Sequence, residues 1–173
     1  MTVTLRVMSF NIQYCDKGVS AIADHIKSAN PDIVLLQETD KGTPRSQGLD
    51  QAQEIADRAA PLVSCVRCKT RDYKWLLGLS IQGEEGIAIL SRYRFGSTAV
   101  HPVGSDNNLL QASIQIHGLM HHFICVHFGL YDQDHCLLRA AEVIKSLPAN
   151  DCVIFGGDFN TPNVQLFSGL HCY

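Results

Sequence analysis

Asp158 and Asn160 stand two residues apart, directly after the apolar run Cys152-Val153-Ile154-Phe155 and the pair Gly156-Gly157. Alternation along an extended backbone puts both polar side chains on one side and Phe159 on the other. A carboxylate and an amide aimed together can orient a water and hydrogen-bond a phosphate oxygen. Glu38 follows Gln37 at the end of a second apolar run, 33–36. A carboxylate there is placed to hold a hard cation that keeps water ligands, as Mg²⁺ does. Asn11 closes a third run in Ser9-Phe10-Asn11, where it offers either a neutral oxygen ligand or a donor that holds a carboxylate in place. His127, in Cys125-Val126-His127-Phe128-Gly129, ends a fourth, as a general acid or a donor to phosphate. Glu85, before Gly86-Ile87-Ala88-Ile89-Leu90, is placed to orient an imidazole.

Each of these residues alone has an ordinary structural explanation. Gly, Asp, Asn and Pro make turns, and a histidine on an apolar strand is often a core residue. The combination is more specific. Four separated strands end in polar groups, and ligands of α/β sheets bind at strand ends. Carboxylates and amides suit a hard divalent metal; a histidine suits proton transfer or charge stabilisation at phosphorus.

The elements that must carry these groups are legible along the chain. Residues 5–12 read as a strand, and Val19, Ile22, Ala23, Ile26 and Ala29 recur at helical spacing up to Asn30-Pro31. The run 33–36 reads as a buried strand, followed by a polar loop over 41–48. Ala52, Ile55, Ala56 and Ala59 mark a second helix with Asp50 as its N-cap. From about residue 62 to 128 the helical period is replaced by short apolar runs, including 75–81, 87–90, 109–116 and 122–128, which suggest consecutive, largely antiparallel strands. A third helix follows, with Leu137, Leu138, Ala141 and Ile144 on one face, and then the strand 152–155. This order predicts an α/β fold of sheets packed together with helices outside.

Composition narrows the function classes. At 173 residues, 46% apolar and 18% charged, the chain reads as one globular domain. A net charge of −3 excludes the strongly basic footprint of a dedicated nucleic-acid binder. One modest basic cluster, Arg67, Lys69, Arg71 and Lys74 beside Tyr73 and Trp75, can meet a phosphate backbone. No apolar run has the length of a membrane span, and no basic-then-apolar leader opens the chain. The seven scattered cysteines read as reduced thiols of a cytoplasmic protein. Cys65 and Cys68 form a Cys-x-x-Cys pair, but no matching second pair completes a zinc site. Arg139 is expected to brace a loop through a carboxylate, and His121, His122 and His135 to be surface or core histidines.

In these residues the chain resembles the endonuclease/exonuclease/phosphatase superfamily. The runs 5–12 and 31–38, Gly86-Ile87-Ala88-Ile89-Leu90-Ser91-Arg92, the His127 segment, and above all Gly157-Asp158-Phe159-Asn160-Thr161-Pro162 resemble its motifs, in order along nearly the whole chain. The stretch Asp40-Lys41-Gly42-Thr43-Pro44-Arg45-Ser46 is similar to a loop of bacterial-type members. The resemblance implies a four-layer α/β/β/α sandwich with mixed, largely antiparallel sheets, spanning residues 1–173. It implies Mg²⁺ or Mn²⁺ held by Glu38 with Asn11 and Asp158, water activated by Asp158, and the scissile phosphate met by Asn160. It implies His127 acting at the phosphate with Glu85 as its partner. The substrate would be a phosphodiester or phosphomonoester, in a nucleic acid, a small phosphorylated metabolite or a lipid headgroup. The superfamily pattern continues to an Arg-Ile-Asp-Tyr-like strand and a final Ser-Asp-His. His171 lies between Leu170 and Cys172 and does not match it, so the C-terminal part is expected to be missing. Two readings of this difference are open: part of a larger active hydrolase, or a naturally short form that is a weak hydrolase or an inactive, non-catalytic binding module.

Overall fold

The computed structural model describes residues 4–72, 83–104 and 107–161. Among the described residues, eight strands form two four-stranded sheets. The first comprises β1 (Val7–Asn11), β2 (Ile33–Lys41), β3 (Ser64–Asp72) and β4 (Glu84–Ser91), in the order β1-β2-β4-β3. The second comprises β5 (Ser97–Pro102), β6 (Asn108–Ile116), β7 (Leu119–His127) and β8 (Cys152–Asp158), in sequence order. Each sheet has one parallel pair, β1 with β2 and β7 with β8; its other pairings are antiparallel. Helices α1 (Val19–Ala29) and α3 (Gln133–Lys145) are the crossovers of the two parallel pairs, and α2 (Gln51–Arg58) follows β2.

The apolar run 33–36 shows why the layers stack as they do. Ile33 and Leu35 point between the sheets, where they join Ile87, Ile89, Leu110, Ala112, Phe123 and Cys125. Val34 and Leu36 point the other way, into a cluster with Ile22, Ala23 and Ile26 of α1 and Ala52, Ile55 and Ala56 of α2. A strand covered on both faces reads as a continuous apolar run. The outer face of the second sheet is covered by α3, with Leu109, Ile124 and Val126 against Cys136, Leu137, Ala140 and Ile144. The layers are therefore α1/α2, sheet, sheet, α3: a four-layer α/β/β/α sandwich with mixed sheets.

Several expectations hold closely. Helix α1 ends at Asn30, which takes the left-handed conformation (φ 54°) that asparagine tolerates as a helix terminator. Asp50 caps α2 by accepting from Gln53 N. Others need correction. Strand β2 does not stop at residue 36 but runs to Lys41 through an irregularity in its pairing with β4 between Leu36 and Thr39. The buried stripe of α3 is Cys136, Leu137, Ala140 and Ile144, while Leu138 is 58% exposed. Consecutive leucines lie about 100° apart on a helix, so only one can centre the stripe. Among the described residues Arg139 pairs with Glu142 on its own helix, not with a loop carboxylate. The expected strand over 75–81 lies outside the described residues. Among the described residues no helix is long and apolar enough to cross a membrane.

Candidate active site

Both parallel pairs deliver their carboxyl ends to the same edge of the sandwich. In the first sheet, Asn11 ends β1 in register with Gln37. Glu38 follows at the β2 irregularity, where it adopts φ 57°. A non-glycine residue there is uncommon and re-aims its side chain relative to regular alternation. In the second sheet, His127 ends β7 in register with Asp158 at the end of β8. Gly157 allows this register. Its φ is +145°, and a Cβ there would stand 2.0 Å from Val126 O.

Asn11 ties the two ends together. Its Nδ2 donates to Glu38 Oε1 at 2.9 Å and to Asp158 Oδ2 at 2.9 Å. Its Oδ1 accepts from Gln13 N at 3.1 Å, so the amide oxygen is directed to the backbone. In this geometry Asn11 holds the two carboxylates in place through its amide nitrogen. Asp158 is fixed twice, since its Oδ1 also accepts from Asn160 N at 3.0 Å. His127 Nε2 lies 3.7 Å from Glu38 Oε1 and 4.0 Å from Asp158 Oδ2. Gln37 is buried beneath them, donating to Leu35 O and to Cys125 Sγ of the facing sheet.

Asn160 reaches the site by a different route than strand alternation. β8 ends at Asp158, and Asn160 takes φ 48°, with Nδ2 donating to Phe128 O at 2.7 Å. The tight left-handed turn is one that asparagine adopts readily. Phe159 does point away, edge-on to Phe128 and Phe155 in the α3 layer.

Glu85 is not the partner of His127. Its Oε1 accepts from Arg45 Nη2 at 2.8 Å and its Oε2 from Arg71 Nε. Arg45 is itself forked onto the fully buried Asp40, with Nε to Oδ2 at 2.5 Å and Nη2 to Oδ1 at 2.9 Å. Burial opposes the charge of Arg45, but the bond to Asp40 and the charges of Asp40 and Glu85 outweigh it and hold the guanidinium protonated. The loop that presents Arg45 is closed by its own bonds, including Thr43 Oγ1 to Asp40 and Ser46 Oγ to Thr43 O and Leu49 O.

Tyr14 completes this wall. Gln13, Tyr14 and Cys15 all have φ between 47° and 60°, a single left-handed turn. Such residues cost of order 1–2 kcal/mol each, so the surroundings must impose them. Here Gln51 Nε2 donates to Tyr14 O at 2.6 Å and Cys15 is buried. The Tyr14 ring lies under the Arg45 guanidinium, 3.4 Å from its carbon, and its hydroxyl accepts from Arg71 Nη2 at 3.3 Å. Burial, then the charges of Glu85 and Glu38, push the Tyr14 hydroxyl above its usual range.

These walls enclose a cleft of about 510 Å³, lined by Tyr14, Arg71 and Glu85 on one side and His127, Tyr131 and Asn160 on the other, with Glu38 between. Sequence reasoning brought out Glu38, Asn11, His127, Asp158 and Asn160, and the structure brings them together. It missed Tyr14, and noticed Asp40 and Arg45 only inside a longer stretch. The compact Asp40, Thr43, Arg45, Ser46 spacing was the available signal. The basic cluster is largely neutralised: Arg67 pairs with Glu84, Lys69 with Asp72 and Arg71 with Glu85. Lys74, Tyr73 and Trp75 lie outside the described residues.

The donor set suits a hard cation. Glu38 and Asp158 offer oxygen ligands at one point, and Mg²⁺ or Mn²⁺ is commonly held by one or two carboxylates with water and substrate oxygens filling the remaining positions. Among the described residues no group of three or more His, Cys, Asp or Glu side chains is placed to hold a metal ion.

Solved structures with this fold confirm the architecture. An endonuclease/exonuclease/phosphatase from Beutenbergia cavernae superposes with a TM-score of 0.71 at 21% identity, covering 90% of this chain and 47% of that one. A family protein from Leptotrichia buccalis gives 0.71 at 14%, covering 95% and 72%. D. rerio TDP2, solved with a single-strand DNA product, gives 0.66 at 21%, covering 94% and 63%. The chain thus spans about half the length of the first of these. Comparison with curated proteins gives no match. The family model matches residues 8–165, a span that holds all four strand ends and both crossovers, and the chain belongs to the Endonuclease/Exonuclease/phosphatase family.

Proposed function

We propose that this chain is a metal-dependent phosphoester hydrolase of the nuclease or phosphatase type, working at the Asn11–Glu38–His127–Asp158–Asn160 cluster. The observation that supports this reading best is the shared amide of Asn11, which brings a carboxylate from each sheet to one point. Glu38 and Asp158 are the residues that would hold Mg²⁺ or Mn²⁺. Such an ion supplies Lewis-acid stabilisation of charge on phosphoryl oxygens. Asp158, oriented by Asn11 and by Asn160 N, is placed to accept a proton from the attacking water. His127 supplies a donor to the phosphate oxygens or a proton to the leaving group. Among the described residues Asn160 Nδ2 donates only to Phe128 O, which leaves its second hydrogen for a phosphate oxygen. TDP2 with its single-strand DNA product makes nucleic acid the first substrate to try. The unpaired thiols Cys15, Cys65, Cys68, Cys125 and Cys136 agree with a reducing, cytoplasmic setting.

The test is hydrolysis of single-stranded DNA, RNA and small phosphomonoesters with and without Mg²⁺, alongside Glu38→Gln and Asp158→Asn. Turnover that requires the ion and falls by at least about 100-fold in each variant supports the reading. A folded, metal-loaded protein that binds a phosphate ligand and turns over nothing would make the same site a binding module.

A further inference from the structure

The cleft continues past the phosphate-handling cluster, and one charged group there has no role in the chemistry above. Arg71 lies at the end of a chain of alternating charge: Asp40, Arg45, Glu85, Arg71. The first member is fully buried and Glu85 is 9% exposed, whereas the Arg71 side chain is 58% exposed and lines the cleft. Its Nε is held by Glu85 and its Nη2 by the Tyr14 hydroxyl. Nη1 makes no hydrogen bond among the described residues. Both oxygens of Glu85 are taken by arginines, so Glu85 orients a guanidinium. A surface arginine otherwise loses side-chain entropy when it is ordered. Here that cost is met by the fold before any ligand arrives. Tyr131, 86% exposed, and Leu130, 70% exposed, line the same cleft and add an aromatic and an aliphatic surface to it.

Resting on the phosphoesterase reading, we propose that Arg71 is a substrate-binding residue for a second phosphate, one nucleotide unit away from the scissile one, with the intervening nucleoside passing the Tyr131 wall. The recognised class is a nucleoside bisphosphate unit, as it occurs inside a polynucleotide strand. The physical basis is that guanidinium pairs with phosphate through short, charge-assisted bonds, and that nucleobases stack on exposed aromatic rings. A phosphomonoester gives Arg71 nothing to hold.

Binding and turnover test this separately. By calorimetry, wild-type protein should bind thymidine 3′,5′-bisphosphate about tenfold or more tightly than either thymidine monophosphate, the size of one charge-assisted hydrogen bond. Arg71→Gln should bring that ratio to about 1, and Arg71→Lys should keep part of it. Glu85→Gln should lower the ratio too, since it loosens the guanidinium. In turnover, the p-nitrophenyl ester of thymidine 5′-phosphate is compared with the same ester carrying a 3′-phosphate. The wild-type preference for the second, expressed as a ratio of kcat/KM, should collapse in Arg71→Gln through KM. A wild type that does not distinguish bisphosphate from monophosphate overturns the proposal. So does a preference that survives Arg71→Gln. Failure to hydrolyse either ester, with the binding ratio intact, overturns the phosphoesterase reading and leaves the Arg71 subsite standing.

Discussion

Asn11 Nδ2 donates to Asp158 Oδ2 at 2.9 Å across 147 residues of sequence. The bond joins the ends of the two parallel pairs, β1–β2 and β7–β8, one in each of the facing sheets. The same nitrogen holds Glu38, so one amide sets the separation of two carboxylates whose mutual repulsion would otherwise spread them.

Replacing that amide should therefore be felt in stability before any assay of activity. Asn11→Ala is expected to cost about 1–3 kcal/mol in urea denaturation, the penalty for removing a partner from part-buried charged groups. Asn11→Asp should cost more, because it adds a third carboxylate, and millimolar Mg²⁺ should restore part of the loss. Equal midpoints for Asn11→Asp and wild type without metal would contradict this account.

Gly157 carries the close approach of β8 to β7. Gly157→Ala places a methyl against the Val126 backbone, which cannot move without opening the β7–β8 ladder. A destabilisation of at least about 3 kcal/mol is expected, larger than the usual effect of a point mutation. Thermal melts that match wild type would show that the strands can separate without penalty.

Burial pushes the Cys65 and Cys125 thiols up to about 12 and the Cys15 thiol up to about 11, from an ordinary value of 9. All three stay protonated at pH 8, so an electrophilic thiol reagent should label them only after denaturation, as peptide mapping would reveal. The sign of the linkage follows. A folded value above the unfolded one stabilises the native state fully below pH 9, and that stabilisation is lost as pH rises through 11 and 12. Unfolding midpoints measured from pH 8 to 11 should fall on the alkaline side. Rapid native labelling of Cys125 would rule this out.

An exposed leucine of α3 and a phenylalanine of the inter-sheet core make a simple contrast. Phe123 is fully buried between the sheets, and Phe123→Ala should cost about 3–5 kcal/mol. Leu138 is 58% exposed, and Leu138→Ala should stay within about 0.5 kcal/mol of wild type. Chemical denaturation of both variants checks the assignment of the buried stripe.

His122 explains a residue for which the sequence offered only a general expectation. It is buried, with Nδ1 2.8 Å from Ser113 Oγ and Nε2 2.9 Å from Asp151 Oδ2, on the face of the second sheet away from the other sheet. Its neighbours satisfy both ring nitrogens, so it anchors the turn before β8 to the sheet.

The sequence by itself determined that sheets pack together with helices outside, because the apolar run 33–36 demands cover on both faces and the helical stripes of α1 and α2 can supply it. It also brought out five polar residues at or beside strand ends and turns, because strand and turn chemistry are local properties. It could not assign Glu85, since the choice between His127 and two arginines depends on which side chains the sheets bring within 3 Å. Nor could it foresee Tyr14, whose place comes from a left-handed turn that no local preference favours and that Gln51, 37 residues away, holds. The distinction is one of range. Periodicity and capping act within a few residues and can be read along the chain. Ion pairing and imposed backbone strain are decided by contacts between distant segments, which exist only once the two sheets have met.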